Sequence, residues 1–376
     1  MRPDNLFQNQ ATIKVIGVGG GGSNAVNRMI REGVAGVHFV TMNTDAQALN
    51  ESLAPTVIKL GGELTRGLGA GGNPEVGEAA ARESEKEIKE VLDGCDMVFI
   101  TAGMGGGTGT GAAPVVAEMA RRMGILTIAV ITKPFLFEGP KRKRLAQEGA
   151  DRLRTSVDTM ITVPNDRLLS VVEKKTTMQQ AFAAADDVLR QGVQGISDII
   201  LLPGMINVDF ADVRSVMSNA GIALMGLGKG IGDQRARMAA QNAATSPLLE
   251  TSIQGAKKLL VNVTAGPDFS IGEAHEAMEY ILQFTDAEDA DIIMGHVMRE
   301  NENNEVVITL LAAGMDANAR TAAYTNSEVF IQPSYSQPVQ PPSTPYQEPM
   351  AVAGTPIGLD EIDLDIPTFL RRQKGV

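Results

Sequence analysis

Two glycine-rich runs contain residues that could bind an anionic group. They are Gly17-Val-Gly-Gly-Gly-Gly-Ser-Asn24 and Gly103-Met-Gly-Gly-Gly-Thr-Gly-Thr-Gly111. Each lies between an apolar run and a helical pattern, so backbone N–H groups can approach an anion while the helix N-terminus adds partial positive charge. A third, shorter run, Gly69-Ala-Gly-Gly-Asn73, precedes a helix that begins at Pro74. Three such runs indicate a polyphosphate that is held from several sides.

The first run alone also fits a different class of protein. Gly17, Gly19 and Gly22 satisfy the G-x-G-x-x-G pattern of dinucleotide-binding enzymes, and Asp45 could contact a ribose. A Rossmann-type NAD(P)-dependent oxidoreductase is therefore one alternative, although it leaves the second run unexplained. A nucleotide-binding scaffold that does not hydrolyse its ligand is another. No G-x-x-x-x-G-K-S/T motif is present, which excludes the P-loop enzymes.

Acidic residues that could activate a water lie far along the chain from the glycine runs. The segment Asn207-Val-Asp-Phe-Ala-Asp212 places Asp209 and Asp212 three residues apart at a predicted helix start, so both can face one direction. Hydrolysis of a nucleoside triphosphate needs a water that is placed in line with the γ-phosphorus and polarised there. An acid at a helix N-terminus can instead cap the helix. Capping would explain one of the two residues without catalysis.

The elements that would position these residues alternate between strands and helices. One predicted helix covers Asn73–Leu92, with Asn73 as its cap and Glu85 paired with Lys89. The apolar runs that predict strands are Ile13–Val18, Val37–Thr41, Met97–Thr101, Ile125–Thr132 and Thr159–Val163. Alternation of this kind is typical of a parallel sheet covered on both faces. Residues 11–176 are therefore predicted to form a Rossmann-like α/β domain.

A long helix and a second domain are predicted next. Apolar residues at helical spacing indicate a central helix over 177–203, capped by Thr176 or Thr177 and ended by Pro203-Gly204. Its length of roughly 39 Å could connect two domains. Residues 204–316 are predicted to form a smaller α/β C-terminal domain that carries the acidic segment, with apolar runs at Ile222–Met225, Leu259–Val263, Ile292–Met294 and Val306–Leu311.

The two ends of the chain lack the apolar content of a core. Residues 1–10 are predicted to be a flexible N-terminus that is not a signal peptide. Residues 317–360 are rich in Pro, Gln, Ser and Thr, which predicts a disordered linker. Apolar residues return near Leu359, so residues 361–376 are interpreted as a peptide that binds a partner, with a featureless tail as the alternative.

The charge and composition exclude several classes of protein. The chain has 376 residues and a net charge of −12, so it has no general attraction for nucleic acid or anionic lipid. It contains no apolar stretch long enough to insert into a membrane. Cys95 is the only cysteine and is expected to be packed; a chain without disulfides suits the cytoplasm. His38, His275 and His296 show no metal-ligand spacing, so no protein metal site is predicted.

Taken together, the motifs resemble those of the tubulin/FtsZ family. GGGTGTG at 105–111 resembles the signature of the whole family, while GVGGGGSNAVNR, MNTDAQAL, GLGAGGNPEVG, NVDFADVR and DIPTFLRRQ resemble its FtsZ branch, the bacterial cell-division GTPases. The resemblance implies a GTPase that assembles into the filaments of the division ring (Z-ring). It also implies GTP as substrate, Mg²⁺ as cofactor, and a cytoplasmic location concentrated at mid-cell under the membrane.

The resemblance assigns residues to each part of the nucleotide. Glu138 and Arg142 resemble sugar and phosphate contacts, although spacing alone would place Arg142 in a solvated basic run. Asp186 resembles a guanine contact, and Phe182 lies four residues before it on the same helix face, where it could stack on the base. Other base contacts are Asn24 and Asn165. The implied phosphate contacts are Gly20, Gly21, Gly22, Gly71, Gly72, Gly106, Gly107, Thr108 and Gly109, and the site is completed by Ser23, Ala70, Asn73, Gly103, Met104, Gly105 and Thr132.

The resemblance further implies that the active site is shared between subunits. The 207–212 loop would reach the nucleotide of the next subunit, so Asn207, Asp209 and Asp212 are the expected catalytic residues. A head-to-tail contact of this kind produces a filament instead of a closed dimer. The last segment resembles the peptide that docks on membrane-tethering and regulatory division proteins of the FtsA, ZipA and MinC kinds. Its expected apolar anchors are Ile366, Pro367, Phe369 and Leu370, flanked by Arg371 and Arg372.

Overall fold

The first half of the chain alternates strands and helices, as its apolar pattern predicts. In the computed structural model the strands are β1 (Ile13–Val18), β2 (His38–Asn43), β3 (Thr56–Lys59), β4 (Met97–Gly103), β5 (Leu126–Lys133) and β6 (Thr159–Pro164). The helices are α1 (Gly19–Arg31), α2 (Ala46–Asn50), α3 (Pro74–Glu83), α4 (Glu85–Leu92), α5 (Thr108–Arg122), α6 (Pro140–Ser156) and α7 (Asn165–Leu168). A 3₁₀ turn, Leu136–Glu138, follows β5.

The structure describes residues 11–173, 175–202, 204–285, 290–299 and 304–315. All of them lie in one unit, residues 1–328. The predicted flexible N-terminus, disordered linker and partner-binding peptide fall outside the described residues. Within the described part of the chain, no helix is long and apolar enough to span a membrane.

The first six strands pair in parallel in the order β3-β2-β1-β4-β5-β6. Successive residues of β1 face opposite sides of the sheet. Val15 belongs to the hydrophobic cluster that includes α1 residues, and Ile16 to the cluster that includes α3 and α5 residues. Both faces of the sheet are therefore covered, which confirms the predicted doubly covered α/β arrangement. Cys95 is buried with its Sγ 2.8 Å from the Met97 carbonyl oxygen, as expected for a packed cysteine.

The predicted helix over Asn73–Leu92 is two helices, α3 and α4, which meet at Ser84. Asn73 caps α3 by accepting a hydrogen bond from the Glu75 N–H at 3.0 Å, as expected. The break occurs because the Ser84 hydroxyl accepts a hydrogen bond from the Gly61 N–H at 3.1 Å, and the Ser84 backbone leaves helical geometry. A partner 23 positions away in the sequence therefore sets the end of α3.

The long helix α8 (Met178–Leu201) follows α7. Thr177 caps it: its hydroxyl accepts from the Gln180 N–H, and the Gln180 side chain accepts from the Thr177 N–H at 2.8 Å. Its 24 residues span about 36 Å. The helix buries Val188, Val193 and Ile196 in the same cluster as Val15, and so lies against the sheet along most of its length.

The remaining elements extend the same sheet. They are α9 (Phe210–Met217), β7 (Gly221–Ile231), α10 (Arg235–Ala244), β8 (Lys258–Ala265), α11 (Ile271–Leu282), β9 (Asp291–Met298) and β10 (Glu305–Ala313). β7 pairs in parallel with β6 over three residues and antiparallel with β10. The sheet then continues as β10-β8-β9, which gives ten strands in all. A third hydrophobic cluster fills the space between these strands and helices α10 and α11.

Candidate functional site

A pocket of about 580 Å³ lies at the carboxyl ends of the parallel strands. Parallel strands present their connecting loops at this edge, and the loops after β1 and β4 are the two long glycine runs. The predicted residues that line the pocket are Gly20, Gly21, Asn24, Ala70, Gly71, Gly103, Met104, Gly106, Gly107, Thr108, Gly109, Thr132, Glu138, Arg142, Asn165, Phe182 and Asp186. Residues spread over more than 160 positions of sequence therefore meet in one cavity.

The glycines of these loops have two separate roles. A Cβ at Gly107 would lie 2.8 Å from the Ala70 side chain, and one at Gly19 would lie 2.8 Å from the Gly109 nitrogen. These glycines allow the three loops to pack backbone against backbone. A Cβ at Gly20 or Gly106 would meet no protein atom within 4 Å. Gly71, which also lines the cavity, has the same open space, so a ligand can approach the main chain at these positions. The assignment of the other loop glycines as ligand contacts stays a prediction.

Two helices begin at the pocket without a side-chain cap. The residue before α1 is Val18 and the residue before α5 is Gly107, and neither supplies a capping hydrogen bond. The first N–H groups of a helix have no partner within the helix, and they carry partial positive charge. Both helices therefore offer hydrogen-bond donors to an anion in the pocket.

A carboxylate and a guanidinium form the side of the pocket next to β5. Glu138 accepts hydrogen bonds from the Phe135 N–H at 2.9 Å and from the Arg142 guanidinium at 2.6 Å. Both Glu138 and Arg142 line the cavity. Arg142 is thus held at the pocket, which favours the interpretation that the family resemblance gave over that of a solvated basic run. Its cationic side chain suits a phosphate.

The first turns of α8 form the part of the pocket next to the 135–138 segment. Phe182 and Asp186 both line the cavity, as their spacing of four residues predicts. The Phe182 ring packs edge-on against the Phe135 ring at 5.4 Å. Burial raises the pKa of Asp186 to about 7, while the Arg28 charge lowers it and the Asp187 charge raises it. An aromatic face beside a carboxylate fits a purine that presents N–H donors.

Five of the predicted residues do not line the cavity. A Cβ at Gly22 would collide with the Thr101 carbonyl, so Gly22 packs against β4. Asn73 caps α3. The others are Ser23, Gly72 and Gly105.

Several lining residues were absent from the predicted site. Asn43 stands in the quoted motif MNTDAQAL, where its polar side chain could have indicated the site. Asp45, in the same motif, was named only as a ribose contact in the dinucleotide-binding alternative. The other additional lining residues are Ala48, Leu68, Gly69, Pro134 and Ala185.

The 207–212 segment lies outside the pocket of its own chain. Asp209 caps α9, since its carboxylate accepts a hydrogen bond from the Asp212 N–H at 2.8 Å. The Asn207 side chain accepts from the Gly204 N–H at 2.8 Å. Asn207, Asp209 and Asp212 are all exposed. Among the described residues the Asp212 carboxylate has no hydrogen bond and no ion pair, so capping accounts for Asp209 and leaves Asp212 unexplained.

The helix α8 separates the two groups of residues. Asp186 lies at the pocket end of α8, and the segment that leads to Asp212 follows its other end at Leu201. Fifteen residues of helix from Asp186 to Leu201 correspond to about 22 Å. Arg214 of α9 donates a hydrogen bond to the Gly124 carbonyl at 2.7 Å, just before β5, so α9 lies at the amino ends of the strands and the pocket at their carboxyl ends. The acidic segment and the pocket of one chain are therefore too far apart to act on the same phosphate.

Comparisons with known proteins identify the family and the fold. The family model "Tubulin/FtsZ family, GTPase domain" matches residues 12–173, and "FtsZ family, C-terminal domain" matches residues 221–316. A solved structure of FtsZ from M. jannaschii, described as an empty dimer, is 45% identical, covering 82% of this chain and 90% of its own, with a TM-score of 0.79. A point mutant of the same protein gives 45% identity, coverage of 82% and 92%, and a TM-score of 0.78.

More distant structures share the fold. CetZ2 from Haloferax volcanii, solved as a GTPγS-bound protofilament, is 19% identical, covering 84% of this chain and 97% of its own, with a TM-score of 0.70. The matches support a GTPase and do not support the alternative of an oxidoreductase. The chain belongs to the FtsZ family of filament-forming, tubulin-like GTPases.

Proposed function

We propose that this chain hydrolyses GTP at head-to-tail contacts, where the 207–212 segment of one subunit completes the pocket of the next. The observation that carries the proposal is the separation of Asp212 from the pocket by the length of α8. Neither glycine loop contains a carboxylate that could polarise a water. Carboxylates do line the pocket, but Asp186 is the predicted base contact. Glu138 is paired with Arg142, and Asp45 caps α2. A second subunit therefore supplies the free acid in this proposal.

The two acids have different roles in this proposal. Asp209 fixes the start of α9 through its bond to the Asp212 N–H. Asp212 keeps a free, exposed carboxylate, which can accept a hydrogen bond from a water and orient it toward the γ-phosphorus. Asn207, whose side chain holds the Gly204 N–H, keeps the loop before α9 in place.

Apolar side chains at both faces suit such a contact. Beside the pocket, Leu68 is 86% exposed and Leu136 is 69% exposed. Next to the acidic segment, Met205 is 75% exposed and Ile206 is 46% exposed. Burial of these side chains against the next subunit stabilises the contact by about 25 cal/mol for each Å² of apolar surface. A heterologous contact of this kind repeats without closing.

The pocket also fits a magnesium ion that arrives with the nucleotide. Mg²⁺ prefers oxygen ligands and usually keeps several waters and substrate phosphates among them. The lining side chains Asn43 and Asp45 supply such oxygens, and the described residues contain no cluster of three or more ligands that could hold a metal alone. Bound there, the ion would neutralise charge on the phosphates. Asn43 and Asp45 would orient it directly or through water.

The cellular role follows from the family. We infer that the filaments act in the division ring at mid-cell under the membrane, and that residues 361–376 dock on membrane-tethering and regulatory division proteins of the FtsA, ZipA and MinC kinds. The support is the sequence resemblance of the segment DIPTFLRRQ, since these residues lie outside the described part of the chain. The charge of −12 argues against a nucleic-acid partner.

The proposal is tested by phosphate release from GTP with Mg²⁺ over a range of protein concentrations. Specific activity should be close to zero at low concentration and rise above a threshold, because an isolated subunit lacks the acid. Sedimentation in the same samples should show assembly at the same threshold. Specific activity that stays constant down to the lowest concentration would mean that each monomer is a complete GTPase, and the shared site would be wrong.

A further inference from the structure

Behind the phosphate loop, a buried hydroxyl contacts a pocket residue. Thr44 is fully buried between β2 and α2, and it does not line the pocket. Its Oγ1 lies 2.6 Å from the Oγ1 of Thr108, which is the first residue of α5 and does line the pocket. Thr44 thus reaches the nucleotide site only through another side chain.

The chemistry of the two hydroxyls gives their bond a direction when phosphate is present. A hydroxyl has one proton to donate, and a phosphate oxygen can only accept. If Thr108 donates its proton to a phosphate oxygen, the bond between the two threonines must have Thr44 as donor. The result is a chain from Thr44 to Thr108 to phosphate, in which each hydrogen bond polarises the next.

The main chain around Thr44 is hydrogen-bonded directly to the 67–72 loop. The Thr44 carbonyl oxygen accepts a hydrogen bond from the Gly69 N–H at 3.1 Å, and the Ala46 N–H donates to the Gly67 carbonyl at 3.0 Å. Asp45 and Leu68 form the antiparallel bridge between these two bonds. Any movement of Thr44 is therefore transmitted to the 67–72 loop, which carries the exposed Leu68.

We propose that Thr44 is a positioning residue, which aligns the Thr108 hydroxyl for phosphate and couples it to the 67–72 loop that carries Leu68. This inference rests on the proposed assignment of Thr108 as a phosphate contact. Phosphate bound at Thr108 fixes the orientation of the Thr44 hydroxyl. The backbone hydrogen bonds around Thr44 then restrict the motion of Leu68 at the proposed subunit contact. Nucleotide binding and assembly are linked in this way by one buried side chain.

The first test compares Thr44→Val, which keeps the shape and removes the hydroxyl, with Thr44→Ser, which keeps the hydroxyl. The affinity for GTP and GDP should fall about three- to tenfold in Thr44→Val and stay near wild type in Thr44→Ser, because one hydrogen bond is lost. The affinity for guanosine, which has no phosphate, should not change. A general packing defect would instead weaken all three ligands, and that result would overturn the proposal.

The second test asks whether Thr44 acts through Thr108. In the double variant Thr44→Val/Thr108→Val, GTP affinity should be no weaker than in Thr108→Val alone. The Thr108→Val change already removes the hydroxyl through which Thr44 would act. Additive losses would contradict the proposal. If Thr108→Val leaves GTP affinity unchanged, the phosphate assignment fails and the inference with it. If Thr108→Val weakens binding and Thr44→Val does not, only the inference fails.

Hydrogen exchange tests the coupling to the loop. At saturating GTP, exchange should slow at the Gly69 and Ala46 N–H groups, which pair the Thr44 segment with the loop, and it should slow less in Thr44→Val than in the wild type. Protection of residues 180–187 at the base end should remain. Equal protection of these two N–H groups in both proteins would overturn the coupling. If Thr44→Val does not fold, the pair Thr44→Ser and Thr44→Ala makes the same comparison, since only Ser retains the hydroxyl.

Discussion

The N-termini of three helices differ between the pocket and the acidic segment 207–212. α1 and α5 begin at the pocket after Val18 and Gly107, and neither has a side-chain cap. α9 begins after Asp209, whose carboxylate occupies one of the N–H groups that an anion would need. The uncapped ends therefore suit binding of phosphate, while the capped end presents negative charge and repels it.

The difference in charge between these helix ends explains why the pocket and the acidic segment lie far apart in one chain. Of the carboxylates that line the pocket, Asp186 is the predicted base contact, and the other two are already engaged, Glu138 by Arg142 and Asp45 by the α2 N-terminus. An additional free carboxylate such as that of Asp212 would weaken binding of an anionic nucleotide through repulsion of like charges. When the acids come from the neighbouring subunit, the pocket can bind GTP first and acquire Asp212 only on assembly. Predictions at Asp212, Asp186 and Asp209 test this difference between the two regions, and the largest expected effect comes first.

Removal of the free carboxylate should have the largest effect. Asp212→Asn should lower turnover about 100-fold or more, the scale of a lost general base, while GTP binding stays within about twofold. The helix cap should survive, because Asp209 bonds to the backbone N–H of residue 212. Turnover and equilibrium binding are measured on the same preparation, with Asp151→Asn, an exposed acid on α6, as the matched control. Normal turnover in Asp212→Asn would remove this residue from catalysis.

A mixing experiment with the same variant tests directly whether two subunits share the active site. Wild-type protein is held just below its threshold concentration, and Asp212→Asn protein is added. Phosphate release should rise, because wild-type acids now complete the pockets of variant neighbours that have bound GTP. No rise would mean that each chain uses its own acid.

The pH dependence of binding should show a smaller effect, at the base end of the pocket. In the predicted assignment, guanine presents its donors to Asp186, whose carboxylate must be ionised to accept both. Burial raises the pKa of Asp186 in the free protein to about 7. GTP affinity should therefore fall about tenfold for each pH unit below 7 and level off above it. Titration calorimetry over this pH range measures the affinity, and Asp186→Asn should bind weakly with a flat profile. If the GTP affinity of Asp186→Asn still changed with pH, the titrating group would be a residue other than Asp186.

The raised pKa of Asp186 also makes the folding stability of the free protein depend on pH. The folded pKa of Asp186 lies above its ordinary value of 3.8. Its contribution to stability is therefore fully present below pH 3.8 and is lost as the pH rises through about 7. Nucleotide, which needs the ionised form, should recover stability in this upper range.

The smallest effect is expected at the cap itself. Asp209→Ala should lower the free energy of unfolding by about 1 kcal/mol, because the α9 N-terminus loses its capping bond. Asp209→Asn should retain most of that stability, since Asn is an equally good cap. Denaturant unfolding of both variants separates capping from charge. Equal losses in the two variants would show that the negative charge, and not the capping bond, supports α9.

Features that depend on neighbours in sequence could be predicted before the structure was known. The caps at Asn73 and Thr177 follow from residue type and spacing within one helical turn, and so does the start of α3 at Pro74. Strand β3 could not be found in the same way. It lies at the sheet edge with only Ile58 buried, so it carries no apolar run that would mark it.

The same distinction between local sequence features and tertiary contacts applies to the site. Glycine-rich runs after strands indicated phosphate loops without any tertiary information. Which glycines face the ligand depends on how closely Gly107 approaches Ala70 across the pocket, and spacing does not encode that distance. The raised pKa of Asp186 likewise arises from burial, which depends on elements far away in sequence. The position of Asp212 relative to the pocket required the direction and length of α8.

The helix α8 makes every assembly in the proposed arrangement directional. Each subunit has a pocket at one end of this helix and an acid beyond the other, so a linear chain of subunits always has one more pocket than it has completed sites. The terminal pocket has no neighbour to supply Asp212, and its nucleotide stays a triphosphate. A dimer can hydrolyse only one of its two nucleotides, while a long filament uses almost all of them. The polymer therefore has two chemically distinct ends, and one of them retains GTP.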